Sequence, residues 1–275
     1  METMRDLPIA EAVLPPEPRA YNGVNWEGLK TLYLREVRRF LKVGMQTLAA
    51  PVVTALLYML VFVVAVGGFR EVHGVPYGTF VAPGLVMMQI LSNAFANSSS
   101  SLLQAKFNGL MGDFVTPPLS AGEQVVGFGA GAATRGILVG AISLAAVLPF
   151  AKLPLEQVWA VVYFGVGAAL IMGFIGIMAG LWSEKFDHMA AVTNFVIMPM
   201  TFLSGTFYLV ERLPEPFRTA SHFNPFFYLI DGFRYGFTGQ AESNLWIGTA
   251  MTAALVLALG WTCLWMFRVG YKIKT

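Results

Sequence analysis

From Gln157 to Trp182 the chain reads QVWAVVYFGVGAALIMGFIGIMAGLW, with no Asp, Glu, Lys, Arg or His, and then turns at once to Ser183-Glu184-Lys185. About 20 consecutive apolar residues are enough for a helix to cross the hydrocarbon layer of a bilayer. Bounded by charge, a stretch of this kind reads as a membrane span. Working outward, the same pattern recurs on both sides and predicts spans over residues 45–69, 77–101, 124–150, 157–182, 189–210 and 244–267. Composition agrees: charged residues make up only 12% of the chain and mean hydropathy is +0.62, about half the charge a soluble domain of this length carries. The expected fold is an all-α polytopic membrane protein with six transmembrane helices, built as one transmembrane domain over residues 25–275. Residues 1–24 carry charges and prolines without the continuous apolar core of a signal peptide, and read as a flexible cytoplasmic tail.

Lysine and arginine in short loops set orientation. With the N-terminus inside, the inner surface holds Lys30, Arg35, Arg38, Arg39, Lys42, Lys106, Lys185, Arg268, Lys272 and Lys274, while the short outer loops hold little beyond Arg70 and Lys152. Both termini are therefore expected in the cytoplasm.

Three segments fall outside the simple spans. Over Trp26–Gly44, Trp26, Leu29, Tyr33, Val37 and Phe40 share one helical face, and Arg35, Arg38, Arg39 and Lys42 take the opposite one. This predicts an amphipathic helix at the inner interface, its cations toward anionic lipid or a partner. The inner loop Leu102–Glu123 is long and apolar for a connector. It carries Lys106, Phe107, Met111, Asp113 and Phe114, breaks at Pro117-Pro118, and ends in a capping box, Ser120 with Glu123, opening span three. Phe107, Met111 and Phe114 stand four and three apart, on one face of a short helix, which suits a docking element. Glu211–Ser243 mixes Pro214, Pro216 and Pro225 with eight aromatics from Phe217 to Phe237. It is too apolar for a water-exposed loop and too broken for a span; a re-entrant outer helix pair between spans five and six is expected.

Small residues four apart, Gly127/Gly131, Gly136/Gly140 and Gly176/Gly180, predict close helix contacts. Arg135 is the one ionisable residue deep in a span, where charge is costly and usually faces a cavity or another polar group; it reads either as a pathway-lining or subunit-contact arginine or as a structural one that snorkels inward or bonds carbonyls. Asp231 and Arg234 stand three apart and are placed to pair on one helix. The single cysteine, Cys263, and three scattered histidines offer no disulfide framework and no metal site. No lysine follows a glycine, so the phosphate-binding pattern G-x-x-x-x-G-K-[ST] does not occur. No histidine neighbours a plausible nucleophile, so no catalytic site is expected. A proton-coupled secondary transporter would place acids mid-span, and none is found; a membrane scaffold without transport stays open on these grounds.

Several short runs together carry a family resemblance: Val81-Ala82-Pro83-Gly84-Leu85, Asn93-Ala94-Phe95-Ala96-Asn97, Ala105-Lys106-Phe107, Ala133-Thr134-Arg135-Gly136, Phe202-Leu203-Ser204-Gly205-Thr206-Phe207-Tyr208, Asn224-Pro225-Phe226-Phe227-Tyr228 and Asp231-Gly232-Phe233-Arg234-Tyr235-Gly236. From Trp26 to Arg268 the chain resembles ABC-2 type permeases of the YadH-like subgroup. That resemblance implies a bacterial inner-membrane subunit of an ATP-driven exporter for a drug, lipid or lipid-linked saccharide. It would act as two copies bound to two copies of a separate ATPase, which would hold the ATP and Mg. No cofactor is implied in this chain, and no nucleic-acid partner. Leu102–Glu123 would be the cytoplasmic coupling helix, with Lys106, Phe107, Met111, Asp113 and Phe114 at the contact. Arg135, Phe202, Phe207, Tyr208, Asp231 and Arg234 would line the pathway or the contact between copies.

Overall fold

The computed structural model describes residues 23–67, 71–72, 74–112 and 118–272. Its order is almost wholly helical. Helix α1 (Trp26–Lys42) starts at Asn25, whose side-chain oxygen accepts from the Gly28 N–H at 2.9 Å. Helix α2 (residues 45–67) is wound as π-helix at Met45–Ala49 and Leu60–Gly67 around an α segment, Ala50–Met59. A minimal antiparallel ribbon, β1 (Glu71–Val72) with β2 (Val75–Pro76), turns the chain into α3 (Tyr77–Phe107). Helices α4 (Ala121–Val147) and α5 (Val158–Trp182) follow. Then come α6 (residues 186–202), a 3-10 turn (Val210–Arg212), α7 (Phe217–Phe223), α8 (Pro225–Thr238) and α9 (Leu245–Val269).

Helix α3 is the hub. It lies along both α4 and α5, and α5 in turn carries α8 and α9, while α1 crosses α4. Of the most apolar window in α3, 89% is buried inside the chain, against 17% in α2 and 22% in α9. The outer helices thus leave most of their surface for the bilayer, where apolar side chains are at home, and α3 is enclosed by its neighbours. The glycine pairs permit that enclosure. A Cβ on Gly176 would stand 2.6 Å from the Phe95 carbonyl oxygen, and one on Gly180 would stand 3.0 Å from that of Ser99. No side chain larger than hydrogen fits there, so these glycines set the approach of α5 to α3. Gly127 and Gly131 do the same under α1, beneath Leu32 and Glu36.

Among the described residues, five helices are long and apolar enough to cross a membrane: Met45–Val63, α3, α4, α5 and α9. The expected span over 189–210 is built differently. Helix α6 is about 25 Å long at 1.5 Å per residue, carries a π turn at Thr193–Ile197, and ends at Leu203 before a turn with Gly205 at φ +72°. The Ser204-Gly205 break, invisible to a hydropathy count, shortens it. Helix α3 also runs on through Phe107 into the loop expected to hold the coupling helix. Asp113, Phe114 and residues 1–22 lie outside the described residues.

The capping box is present as read. Glu123 N–H donates to Ser120 Oγ at 3.3 Å and Ser120 N–H to Glu123 Oε2 at 2.6 Å. The other carboxylate oxygen accepts from Asn25 N–H at 2.5 Å, tying the start of α1 to the start of α4. The helix pair α7–α8 fills the region read as a re-entrant pair, hinged at Asn224, whose side-chain amide donates to the Met200 carbonyl at 2.6 Å.

Candidate functional site

Two buried polar networks grip α3, one toward its C-terminal end and one toward its N-terminal end, the ends called inner and outer after the expected topology, and a cleft opens between them. The first belongs to α1. Its buried face is Leu32, Glu36 and Phe40, rotated from the expected one, so that Trp26 is 71% exposed and a carboxylate sits on the apolar stripe. Arg35, Arg38 and Lys42 face outward as expected. Arg39 does not. It turns inward, donating from Nη2 to Glu36 Oε2 at 3.2 Å, to the Asn97 carbonyl at 2.6 Å and to Asn97 Oδ1 at 3.0 Å, and from Nη1 to Ser100 Oγ at 3.1 Å. Glu36, wholly buried, also accepts from Ser101 Oγ at 2.7 Å and from Asn97 Nδ2 at 3.4 Å. A buried carboxylate without such partners is strongly disfavoured, so this set fixes the seat of α1 on α3. Gly131 makes the space, since a Cβ there would stand 2.7 Å from Glu36 Cβ. One turn deeper along α3, Arg135 of α4 donates from Nη2 to Asn93 Oδ1 at 3.3 Å.

The outer network centres on Arg234 of α8. Its Nε donates to the Phe80 carbonyl at 3.1 Å, Nη2 to the Gly205 carbonyl at 2.7 Å, and Nη1 to Glu242 Oε1 at 3.2 Å. The guanidinium also lies 3.9 Å from the centre of the Phe80 ring. The expected Asp231–Arg234 pair is not formed. Asp231 instead accepts from the Glu242 and Ser243 N–H groups at 3.0 and 2.8 Å and from Ser243 Oγ at 2.6 Å, fastening the loop that leads into α9. Glu242 takes the arginine because that loop folds back over α8, a long-range step that local spacing does not encode. Burial pushes the Glu242 carboxyl up to about 7, although the Arg234 charge draws it down.

A cleft of about 320 Å³ runs between α3 and α6. Ser92, Ala96 and Ser100, one turn apart, form its α3 wall, with Met189, Thr193 and Met198 opposite. Those three α3 residues are the half-exposed stripe of a helix otherwise buried from Thr79 to Leu103. Arg39 binds the last of them. Phe202, Phe207 and Tyr208 sit at the outer end of α6. Phe207 is buried and stacks on Phe62 at 4.1 Å and on Phe202 at 5.7 Å, and Tyr208 Oη donates to the Phe202 carbonyl at 2.8 Å. Arg135, the aromatic trio and the Asp231–Arg234 region thus occupy separate places around α3.

At the inner end, Lys106 turns in to the last carbonyls of α5, Leu181 and Ser183, a favourable place for a cation at a helix C-terminus. Met111 packs into the inner core beside Leu102 and Phe128, so it does not share an open face with Phe107. Phe107 is 54% exposed and stacks on Phe186, the first residue of α6, at 4.8 Å. Asn93 and Asn97 stand out in the sequence only as the ends of a run that carries the family resemblance, and Glu36 and Glu242 do not stand out in it as site residues. The available signal was Glu36 standing four residues from both Leu32 and Phe40, on the same stripe.

Fold and networks together define a multi-pass α-helical membrane protein organised around one enclosed helix with a cleft along its side. The chain belongs to the ABC-2 type transporter family, whose model matches residues 27–238, from α1 to the end of α8. It is similar to the inner membrane transport permease YadH of Escherichia coli K12, with 32% identity over 251 residues that cover 91% of this chain and 98% of that protein. The YadH permease of Shigella flexneri matches equally. Nodulation protein J of Rhizobium leguminosarum bv. viciae is 28% identical over 186 residues, 64% of this chain and 68% of that protein.

Proposed function

We propose that this chain is the permease subunit of an ATP-driven exporter in a bacterial inner membrane, working as two copies with two copies of a separate ATPase. The observation that carries the reading is the α3–α6 cleft, an apolar channel wall with a serine stripe, in a chain of the ABC-2 family. A hydrophobic or amphipathic substrate suits such a wall, with lipid, drug or lipid-linked saccharide as candidate classes. Energy would come from the partner, because the chain carries no phosphate-binding loop.

Six crossings with both termini cytoplasmic fit this reading. Helix α6 starts against Phe107, the last residue of α3. The turn after it ends where Tyr77, the first residue of α3, donates from Oη to the Phe207 carbonyl at 2.8 Å. Helix and turn together therefore run the length of α3 and serve as the sixth crossing. The helix pair α7–α8 then lies at the outer face.

The mechanism follows from the cleft and its inner edge. Phe107 and Phe186 cap the inner tips of the two helices that wall the cleft. Lys106, Phe107, Met111, Asp113 and Phe114 belong to the segment assigned to ATPase docking, Phe107 by its exposed ring and Met111 by bracing the loop from beneath. When ATP draws two ATPase subunits together, pressure at this point tilts α6 against α3, a shear of packed helices. The outer network holds the opposite end still. The test is efflux from proteoliposomes containing the chain and its ATPase: wild type should export and Phe107→Ala should not. Export by Phe107→Ala at the wild-type rate would remove the coupling assignment.

A further inference from the structure

Arg135 is a cation deep in a helix read as spanning the membrane, and it has almost nothing to hold. A guanidinium carries five N–H donors. Among the described residues one hydrogen bond is formed, to Asn93, and Nε is buried without a partner. Among the described residues no carboxylate lies within 4 Å of it. Glu36, the carboxylate on the facing helix, is bound to Arg39 at 3.2 Å. Arg39 also keeps a buried Nε without a partner. The two arginines are anchored on Asn93 and Asn97, about one turn apart on α3, which separates their anchors by roughly 6 Å along the axis. Two guanidiniums so close repel each other, and one carboxylate offsets only one of them. A second guanidinium left uncompensated at this depth is strongly disfavoured.

The surroundings say what would relieve it. Arg39 donates to Ser100, which lines the α3–α6 cleft; Asn93, which holds Arg135, follows the cleft-lining Ser92 and lies about 100° further round α3, beside the cleft wall rather than in it. The remaining lining is dominated by methionine, phenylalanine and alanine. An anion with planar or tetrahedral oxygens suits guanidinium donors, and an attached acyl or prenyl chain suits the cleft.

We propose that Arg135 and Arg39 form a receptor for the anionic headgroup of an amphiphile whose chain lies in the α3–α6 cleft. This rests on the permease reading for its biological meaning, but binding can be measured without transport. The purified full chain is melted in nanodiscs of phosphatidylcholine, with and without one-fifth phosphatidylglycerol, and separately with inorganic phosphate. Native mass spectrometry then counts retained lipid. Phosphatidylglycerol should raise the melting temperature of wild type by several degrees and be retained; phosphatidylcholine and inorganic phosphate should do neither. Arg135→Gln should lose both effects. Because that variant alters the buried cation itself, Asn93→Asp serves as the second. It leaves the arginine in place but hands it a carboxylate within the fold, so it should melt at or above wild type in plain phosphatidylcholine and no longer respond to phosphatidylglycerol.

An Asn93→Asp protein that responds like wild type overturns the proposal. So does a wild type that prefers neither lipid, and so does inorganic phosphate reproducing the whole shift, which would mean that no chain is recognised. If phosphatidylglycerol is retained as described while the chain with its ATPase moves no substrate, the receptor stands and the exporter reading falls. Transport that proceeds with no lipid preference leaves the exporter and removes the receptor.

Discussion

The outer and inner arginine networks use the same chemistry to opposite ends. Arg234 spends donors on two backbone carbonyls and a carboxylate, covers an aromatic ring, and joins α8, α3, the Gly205 turn and the loop into α9. No side-chain nitrogen or oxygen of Arg234, Asp231 or Glu242 is buried without a partner. Arg39 and Arg135 each leave a buried Nε without a partner among the described residues, and Arg39 reaches Ser100 on the wall of the α3–α6 cleft. A closed network resists any change of geometry, since every displacement breaks a buried bond. One with donors to spare gains by taking a ligand or shifting. On the proposed reading, the outer network is the fixed end of the molecule and the inner one the working end.

The sharpest way to break this contrast is to cut the outer network. Arg234→Ala should destabilise the chain by about 3–5 kcal/mol, the usual cost of breaking a buried ion pair by removing one partner, here with the Phe80 and Gly205 carbonyls also left without their donor, read by thermal or denaturant melting in detergent. Replacing both partners, Arg234→Met with Glu242→Leu, should recover much of it. An Arg234→Ala protein that melts with wild type would show that the outer end is not an anchor.

A smaller loss is expected at the seat of α1. Glu36→Ala removes the acceptor for Ser101, Asn97 and Arg39 and should cost about 2–3 kcal/mol. Hydrogen exchange should then rise across residues 26–42 while α8 stays protected. Uniform loosening of the whole chain would erase the distinction between the two ends.

Acidity separates the ends further. Glu242 has a folded pKa of about 7, above the ordinary value of about 4.3 for an unfolded glutamate. The folded state therefore holds a proton that the unfolded state has lost, so stability falls as pH rises from about 4.5 to 7 and is flat above that. Glu242→Gln should flatten this part of the profile. Arg234→Met removes the charge that draws the pKa down and should carry the fall to higher pH. A Glu242→Gln profile that keeps the full slope would refute the assignment.

The least effect on stability is expected at Phe107. Its ring is half exposed and stacked on Phe186, so Phe107→Ala should cost about 1 kcal/mol or less. Copurification with the ATPase should nevertheless be lost, and a large drop in melting with the ATPase still bound would reverse the roles assigned here.

Much of the fold was legible because hydropathy and glycine spacing are local signals. The five long helices, the Ser120–Glu123 capping box and the close contacts at Gly131, Gly176 and Gly180 all follow from residues within one turn or one span. What was hidden depends on rotation and on distant partners. Periodicity showed that α1 has an apolar face, but Gly131 on another helix turns Glu36 and Arg39 inward. Spacing offered Asp231 to Arg234, but the 239–244 loop brings Glu242 instead. Hydropathy counted 189–210 as one span, and the Ser204-Gly205 turn with the π-wound middle of α6 made it a shorter helix and a bend. Met111 was read with Phe107 as one docking face, and the inner core took it.

The proposed division of labour between this chain and a separate ATPase is tested most directly by nucleotide binding and hydrolysis, first on the purified chain alone and then with the candidate ATPase in proteoliposomes loaded with a fluorescent amphiphile. The account predicts no nucleotide binding by the chain alone, and ATP-dependent efflux only when both proteins are present. Saturable ATP binding or hydrolysis by the chain on its own would contradict it.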